Sequence, residues 1–226
     1  MDLLTTRADG TYRKFENGKS RTRDADYLRR IGQILKLSEG EYTQLYLLTF
    51  RHAPARPLNP QAGMTVPDVW RRVVDGQRDM AYVTNVQWDL LYCNDAFRAL
   101  FARGEPPENT MRWMMLSEEA RRVNLTDWAT RWAPFVLPQL RAAYIAYPDN
   151  AVIRQLHEDV LADDATGPIY RQKTEPYIQP DGDRRPLNHA LFGPGMTTMA
   201  GAEPLGSRGS RLIILPWDPA TPESAS

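Results

Sequence analysis

The spacing of apolar positions changes period several times along this chain, and those changes mark its parts. Ala81-Tyr82-Val83 and Leu90-Leu91-Tyr92 are short apolar and aromatic runs separated by a polar stretch, the pattern of two half-buried strands joined by a turn. Asn94 follows directly, with a side chain suited to cap a helix carrying Ala96, Phe97, Leu100 and Phe101 on one face. Residues 102–109 read as a loop, and 111–116 as an apolar segment in which Trp113, Met114 and Met115 are adjacent. Ser117-Glu118-Glu119 then opens a helix with acids in its first turn, where the helix dipole favours them. Between residues 126 and 147, Trp128, Trp132, Phe135, Val136, Leu140, Tyr144 and Tyr147 recur near helical spacing and predict a long helix across the sheet, bent or broken by Pro134 and Pro138. Asn150 opens another helix bearing Ile153, Leu156, Val160 and Leu161. The remainder is turn-rich: Pro180-Asp181-Gly182-Asp183 marks a turn after Tyr177-Ile178, and residues 211–217, RLIILPW, read as a buried final strand.

Upstream of the hairpin the period is helical. Residues 11–19, TYRKFENGK, read as the end of a helix stopped at Asn17-Gly18 and followed by a basic loop. Asp24 can cap a second helix with Tyr27, Leu28, Ile31 and Leu35 inward, and Ser38 with Glu41 has the form of a capping box opening a third, whose stripe is Tyr42, Leu45 and Leu48. Residues 52–67 contain Pro54, Pro57, Pro60, Gly63 and Pro67, which predicts an extended linker. Pro67 suits a first helical turn, with Val69, Trp70, Val73 and Val74 as the apolar face after it. The fold class is therefore α+β: a short N-terminal helical segment at residues 1–51, a linker at 52–66, an antiparallel sheet covered by helices at 67–218, and a disordered tail at 219–226.

Composition narrows the chemistry. With 226 residues, 42% of them hydrophobic, two unequal units with real cores are expected, and 28 basic against 28 acidic side chains give no net charge to argue for or against nucleic acid. No apolar run reaches the ~20 residues of a membrane span and the first residues do not form a secretory signal, so a cytoplasmic location without membrane contact is expected. Cys93 is the single cysteine, which excludes an intrachain disulfide, and it reads as a small buried residue rather than a nucleophile. His52, His157 and His189 are scattered, and Gly193-Pro194-Gly195 lacks the lysine of a phosphate loop, so neither a metal, a cofactor nor an enzymatic centre is expected. What remains is the aromatic and methionine cluster, whose structural alternative is plain core.

A hairpin ending in Asn94-Asp95-Ala96-Phe97 resembles the opening of a PAS-like domain. Its continuation through Asn109-Thr110-Met111-Arg112-Trp113-Met114-Met115, Asp127-Trp128 and Leu140-Arg141-Ala142-Ala143 resembles the ligand-binding domain of MmyB-like transcription regulators, over roughly residues 66–218. The resemblance implies a curved sheet and helices enclosing a pocket for a fatty-acid-like or other apolar molecule. Tyr82, Tyr92, Phe97, Trp113, Met114, Trp128, Trp132 and Tyr144 are then the expected lining, with Asn94 and Arg112 as polar anchors. A homodimer is compatible with it.

Phe15-Glu16-Asn17-Gly18 at the first helix break resembles the close of the recognition helix in an XRE-type helix-turn-helix domain. Carried over by position, residues 9–15 are the recognition helix, and Arg13, Lys14 and Lys19 are the DNA-contacting residues. In that family two helices precede the recognition helix, whereas Met1 lies only a few residues upstream of it here. The expectation is a partial helix-turn-helix, through a misplaced start codon or a real truncation, with DNA binding weak or lost. The alternative is a sensor or dimerisation partner without a DNA reader.

Overall fold

The N-terminal helices start and stop where short polar side chains can take over unpaired backbone groups. In the computed structural model, which describes residues 2–19, 24–54, 56–59, 66–172, 177, 180–204 and 209–220, α1 is Thr11–Glu16, α2 is Ala25–Ile34 and α3 is Glu39–Phe50. The Asp2 carboxylate accepts from the Gly10 and Tyr12 amides at 2.9 and 2.7 Å, placing a negative charge at the positive end of α1. Gly18, at φ 68, ends that helix. Asp24 accepts from the Asp26 and Tyr27 amides, and Ser38 with Glu41 closes a reciprocal capping box on α3.

The chain divides into two compact units, Met1–Ala62 and Gly63–Ser226. In the first, Leu28, Tyr42, Tyr46 and Leu58 form the core, with Phe15, Leu37, Leu45 and Phe50 against it. Leu35 and Leu48, expected inside, are 45% and 64% exposed: Leu35 is the C-cap of α2, and the buried side of α3 runs through Tyr42 and Tyr46. Leu58 belongs to the proline-rich stretch, yet the Glu39 carboxylate accepts from its amide and that of Asn59, and Gly32 leaves room for it, since a Cβ there would meet Leu58 Cδ1 at 2.9 Å. Arg21 and Arg23 of the basic loop, residues 60–65 of the linker and 221–226 of the tail lie outside the described residues.

The second unit opens with α4 (Asp68–Asp75), then β1 (Met80–Thr84), β2 (Leu90–Cys93), α5 (Asp95–Arg98) and α6 (Thr110–Leu116). Two π-helical turns, Ala120–Asn124 and Trp128–Trp132, lead into α7 (Ala133–Ala146), followed by α8 (Ala151–Ala162), α9 (Thr166–Gln172), β3 (Asp183–His189), β4 (Gly193–Ala202), β5 (Arg211–Leu215) and β6 (Trp217–Pro219). The long helix predicted over 126–147 is thus interrupted just before Pro134, which occupies the first turn of α7, where its missing N–H costs nothing. α9 was not expected: Thr166, Gly167 and Tyr170 are buried in a stretch that the sequence punctuates like a loop.

The strands form one antiparallel sheet in the order β2-β1-β5-β4-β3, with β6 also on β4, an open arrangement flanked by helices and consistent with a PAS-like fold. β1 lies between β2 and β5 and is buried on both faces. Ala81 and Val83 join Leu212, Ile214 and Tyr92 on the outer face against Trp70 and Val74 of α4. Met80 and Tyr82 turn inward with Leu215 toward the main core, where Met111, Met115, Leu137, Leu140, Ile153, Leu156 and Tyr170 are buried. Val69 and Val73 of α4, expected on its apolar face, are 61% and 37% exposed.

β3, at one edge of the sheet, is closed by the π-helical segment. Arg131 Nη2, Trp132 Nε1 and Asn124 Nδ2 donate to the carbonyls of Arg184, Pro186 and Asn188 at 3.4, 2.9 and 3.5 Å. Those are the alternate carbonyls that a further strand would otherwise take.

Candidate functional site

Between α7 and the inner face of the sheet lies a cleft of about 550 Å³. Its helical wall is Val136, Gln139, Ala143 and Ala146, positions three or four apart and so on one face of α7, continued by Tyr147. The sheet wall comes from alternate residues of two paired strands, Tyr82 and Thr84 on β1 and Arg211 and Ile213 on β5, where Tyr82 faces Ile213 and Thr84 faces Arg211 in register. Met199 and residues 200–202 of β4 extend it, α6 adds Thr110 and Met114, and the hairpin turn adds Trp88. The cleft is hollow because short side chains meet across it: Ala143 and Ala146 on the helix, Ala200, Gly201 and Ala202 on the strand.

Trp88 holds a left-handed backbone at φ 65, a conformation that a bulky residue adopts only when its surroundings fix it. They do: its carbonyl accepts from the Thr110 amide at 2.9 Å and its amide donates to the Asn85 carbonyl at 3.1 Å. The turn is itself bound by Asn85, whose Oδ1 accepts from the Gln87 and Asp89 amides, and by Asn109 Nδ2, which donates to the Gln87 carbonyl and to Asp89.

The wall is apolar over most of its area but carries polar side chains as well. The Arg211 guanidinium lies 5.3 Å from the centre of the Trp88 ring. Burial pulls its pKa down from the ordinary arginine value, against the stabilising fields of Tyr147, Glu203 and Tyr82. Burial likewise pushes the Tyr82 phenol up, so it remains a neutral hydroxyl. Asp181 and Glu203 stand on the exposed rim, where Asp181 accepts from the Gly201 amide at 3.0 Å and Glu203 from the Gly209 amide at 2.7 Å.

Of the residues expected to line a pocket, Tyr82 and Met114 are on this wall. Phe97 stands behind Tyr82, ring centres 4.5 Å apart, and in edge contact with Phe101 at 5.3 Å. Tyr92 is on the opposite face of the sheet, its hydroxyl donating to the Asp75 carboxylate at 2.9 Å. Asn94 caps α5 through the Phe97 amide, accepts from the Ala81 amide and donates to the Asp79 carbonyl, which commits it to the joint between α4, β1 and α5. Arg112 points outward and pairs with Asp159. Trp113, packed edge-on against Phe101, borders a separate shallow groove with Asn109, Leu116 and Val152. Trp128 donates to the Met114 carbonyl and Trp132 to the Pro186 carbonyl, so both indoles join elements rather than face the cleft. Tyr144, on the far side of α7, stacks on His157 with ring centres 3.9 Å apart. Arg13, Lys14 and Lys19 are exposed on and just after α1, a helix with no buried residue.

Sequence reasoning did not anticipate Thr84, Trp88, Thr110, Gln139, Tyr147 or Arg211 on the wall. Two signals pointed there: the charged residue opening the otherwise apolar strand RLIIL, and alanines at 142, 143 and 146 where a core-facing helix normally carries large side chains.

Cys93 is buried and its thiol is pushed up by that burial, away from nucleophilic use. Among the described residues no three His, Cys, Asp or Glu side chains gather as a metal site, and no helix is long and apolar enough to cross a membrane.

An open antiparallel sheet flanked by helices, with a mostly apolar cleft beneath α7, is the arrangement of a PAS-like module. Residues 66–226 match the family model described as the MmyB-like transcription regulator ligand binding domain, and the chain belongs to that family, one of regulatory rather than catalytic domains. No curated protein sequence matches the chain.

Proposed function

We propose that this chain is a ligand-responsive transcription regulator that binds an apolar, fatty-acid-like small molecule in the cleft between α7 and the sheet. The observation that carries the reading is the cleft itself: about 550 Å³ bounded by alanines and glycine on facing elements, in a domain whose remaining interior is filled by Leu, Met, Phe and Trp. A cleft of this size, within the range of small-molecule sites, supports an occupant. A molecule that binds only the folded state at one hundred times its dissociation constant adds about 2.7 kcal/mol of stability. For a unit of this length that corresponds to about 5–10 °C in Tm. Thermal-shift measurements with long-chain alcohols, long-chain acids and apolar aromatics test it. If none of them raises Tm and no apolar compound can be extracted from the purified protein, the reading is wrong.

For the N-terminal helices we propose contact with DNA through Arg13, Lys14 and Lys19, weak and with little sequence preference. α1 buries no residue and leans on the rest of its unit through Phe15, whose ring meets Tyr27 edge-on at 6.0 Å. A helix so lightly held cannot fix base-reading side chains, which leaves phosphate attraction as the main term. The same observation favours a second reading, a sensor that acts through protein contacts alone. Mobility-shift titrations distinguish them: residual binding that falls steeply with salt supports the first, and no binding even at low salt supports the second.

A further inference from the structure

α3 is apolar on two sides. Its inner side carries Tyr42 and Tyr46 into the core of the first unit, with Leu45 and Phe50 packed against them. Its outer side carries leucines as well: Leu47 is 43% exposed and Leu48 64%. Single exposed leucines are ordinary on a protein surface. These two are neighbours in a row with a fixed period. Glu41, Gln44, Leu48 and Arg51 are all exposed and stand three, four and three residues apart, the spacing of a coiled-coil seam, with Leu47 beside it.

The two ends of the row carry opposite charges. Glu41 lies in the first turn of α3, where the Ser38 amide and hydroxyl both donate to its carboxylate at 2.8 Å and hold its pKa below the ordinary glutamate value. Arg51, the C-cap, is exposed and makes no ion pair among the described residues. A two-fold axis through the middle of the row turns one end onto the other. It sets Glu41 opposite Arg51 of a second copy and Gln44 opposite Leu48, each twice, with the two Leu47 side chains flanking the axis. The helices then run antiparallel with opposed dipoles. A parallel pairing would instead set glutamate against glutamate and arginine against arginine, which like-charge repulsion opposes.

We propose that the outer side of α3 is where two copies of this chain meet, as an antiparallel helix pair with Leu47 and Leu48 buried at its centre and a Glu41–Arg51 pair at each end. This rests neither on the ligand reading of the cleft nor on contact with DNA. A contact between two 12-residue helices falls in the class below about 1,200 Å², so the dimer is weak and concentration-dependent. Its exposed ion pairs fix the orientation more than they add strength.

Sedimentation equilibrium of the full chain from about 1 μM to about 1 mM tests it, and a reversible monomer–dimer equilibrium is expected. Leu48→Gln should raise the dissociation constant about tenfold or more, the scale of one buried leucine. Arg51→Glu and Glu41→Arg should each prevent association, since either sets like charges together at both ends, and an equimolar mixture of the two should restore it. Glu41→Arg also breaks the capping box; if it does not fold, cross-linking decides. On a Cys93→Ala background, Gln44→Cys chains mixed with Leu48→Cys chains should form the mixed disulfide faster than either forms a disulfide with its own kind. A chain that stays monomeric throughout, or a dimer that Leu48→Gln leaves unchanged, overturns the interface. Like-with-like disulfides forming faster than the mixed one, or folded charge variants that stay monomeric when mixed, overturn the antiparallel pairing.

Discussion

Ala143→Leu asks whether the space beside α7 is a cleft or a packed core. Ala143 belongs to the buried core, 6% exposed, and also lines the cleft, so on the cleft reading a longer side chain there extends into open volume. Leucine adds three carbons. At about 0.8 kcal/mol per buried methylene, filling that void stabilises the domain by up to ~2 kcal/mol, without loss of helix propensity. In a close-packed core the same change would cost about 1–3 kcal/mol. The two cases therefore differ in sign. All six tryptophans, at positions 70, 88, 113, 128, 132 and 217, lie in the second unit, so indole emission reports its unfolding alone. Urea titrations followed this way should give Ala143→Leu a higher midpoint at unchanged slope, a Tm raised by about 4–8 °C and weakened binding of long-chain probes. A midpoint lower than wild type by the equivalent of about 1 kcal/mol or more would refute the cleft.

Asn94→Ala removes a buried side chain that serves three elements at once and should cost about 3 kcal/mol, read as a lowered urea midpoint. Trp132→Phe keeps most of the ring but leaves the Pro186 carbonyl unpaired; a loss of about 1–3 kcal/mol with ligand affinity unchanged is expected, and altered affinity would return Trp132 to the site. His157 and His189 both have pKa values lowered by burial, so below about pH 6.5 the unfolded chain takes up protons that the folded one resists. Stability should therefore fall as pH drops from that value, and His189→Gln should flatten the slope in a Tm-versus-pH series. Replacing Arg13 and Lys14 by alanine should lower residual DNA affinity and make it less salt-dependent in mobility shifts.

The sequence made legible whatever local chemistry decides. The caps at Asp24, Ser38, Asn94 and Asn150, the hairpin around residues 85–89 and the stop at Asn17-Gly18 are each carried by side chains within a few residues of the backbone groups they serve. α9 was missed because Gly167 and Pro168 punctuate it, while the burial of Tyr170, a tertiary effect, holds it in place. At the candidate site the difficulty was one of kind. Large aromatic residues attract attention in a sequence, yet a cavity is made where side chains are small, and the indoles of Trp128 and Trp132 are held by carbonyls of α6 and β3 that no periodicity could reveal. Which face Tyr92 takes depends on the irregular register beside Thr84, a single-residue shift that alternation alone does not predict.

The side chains that cover the rim of β3 have a consequence for how copies of this domain can meet. At one end of the sheet, alternate carbonyls are taken by Arg131, Trp132 and Asn124, and Pro186 has no N–H to offer an incoming chain. At the other, the Leu90 amide donates to the Glu108 carbonyl at 2.7 Å, and Asp89 bridges to Asn109, so a loop stands where a seventh strand would dock. Both edges thus offer few open ladder positions for template-like growth. Fibrillation by strand addition is disfavoured even when the cleft is empty, which favours self-association through side-chain surfaces such as that around Val69 of α4.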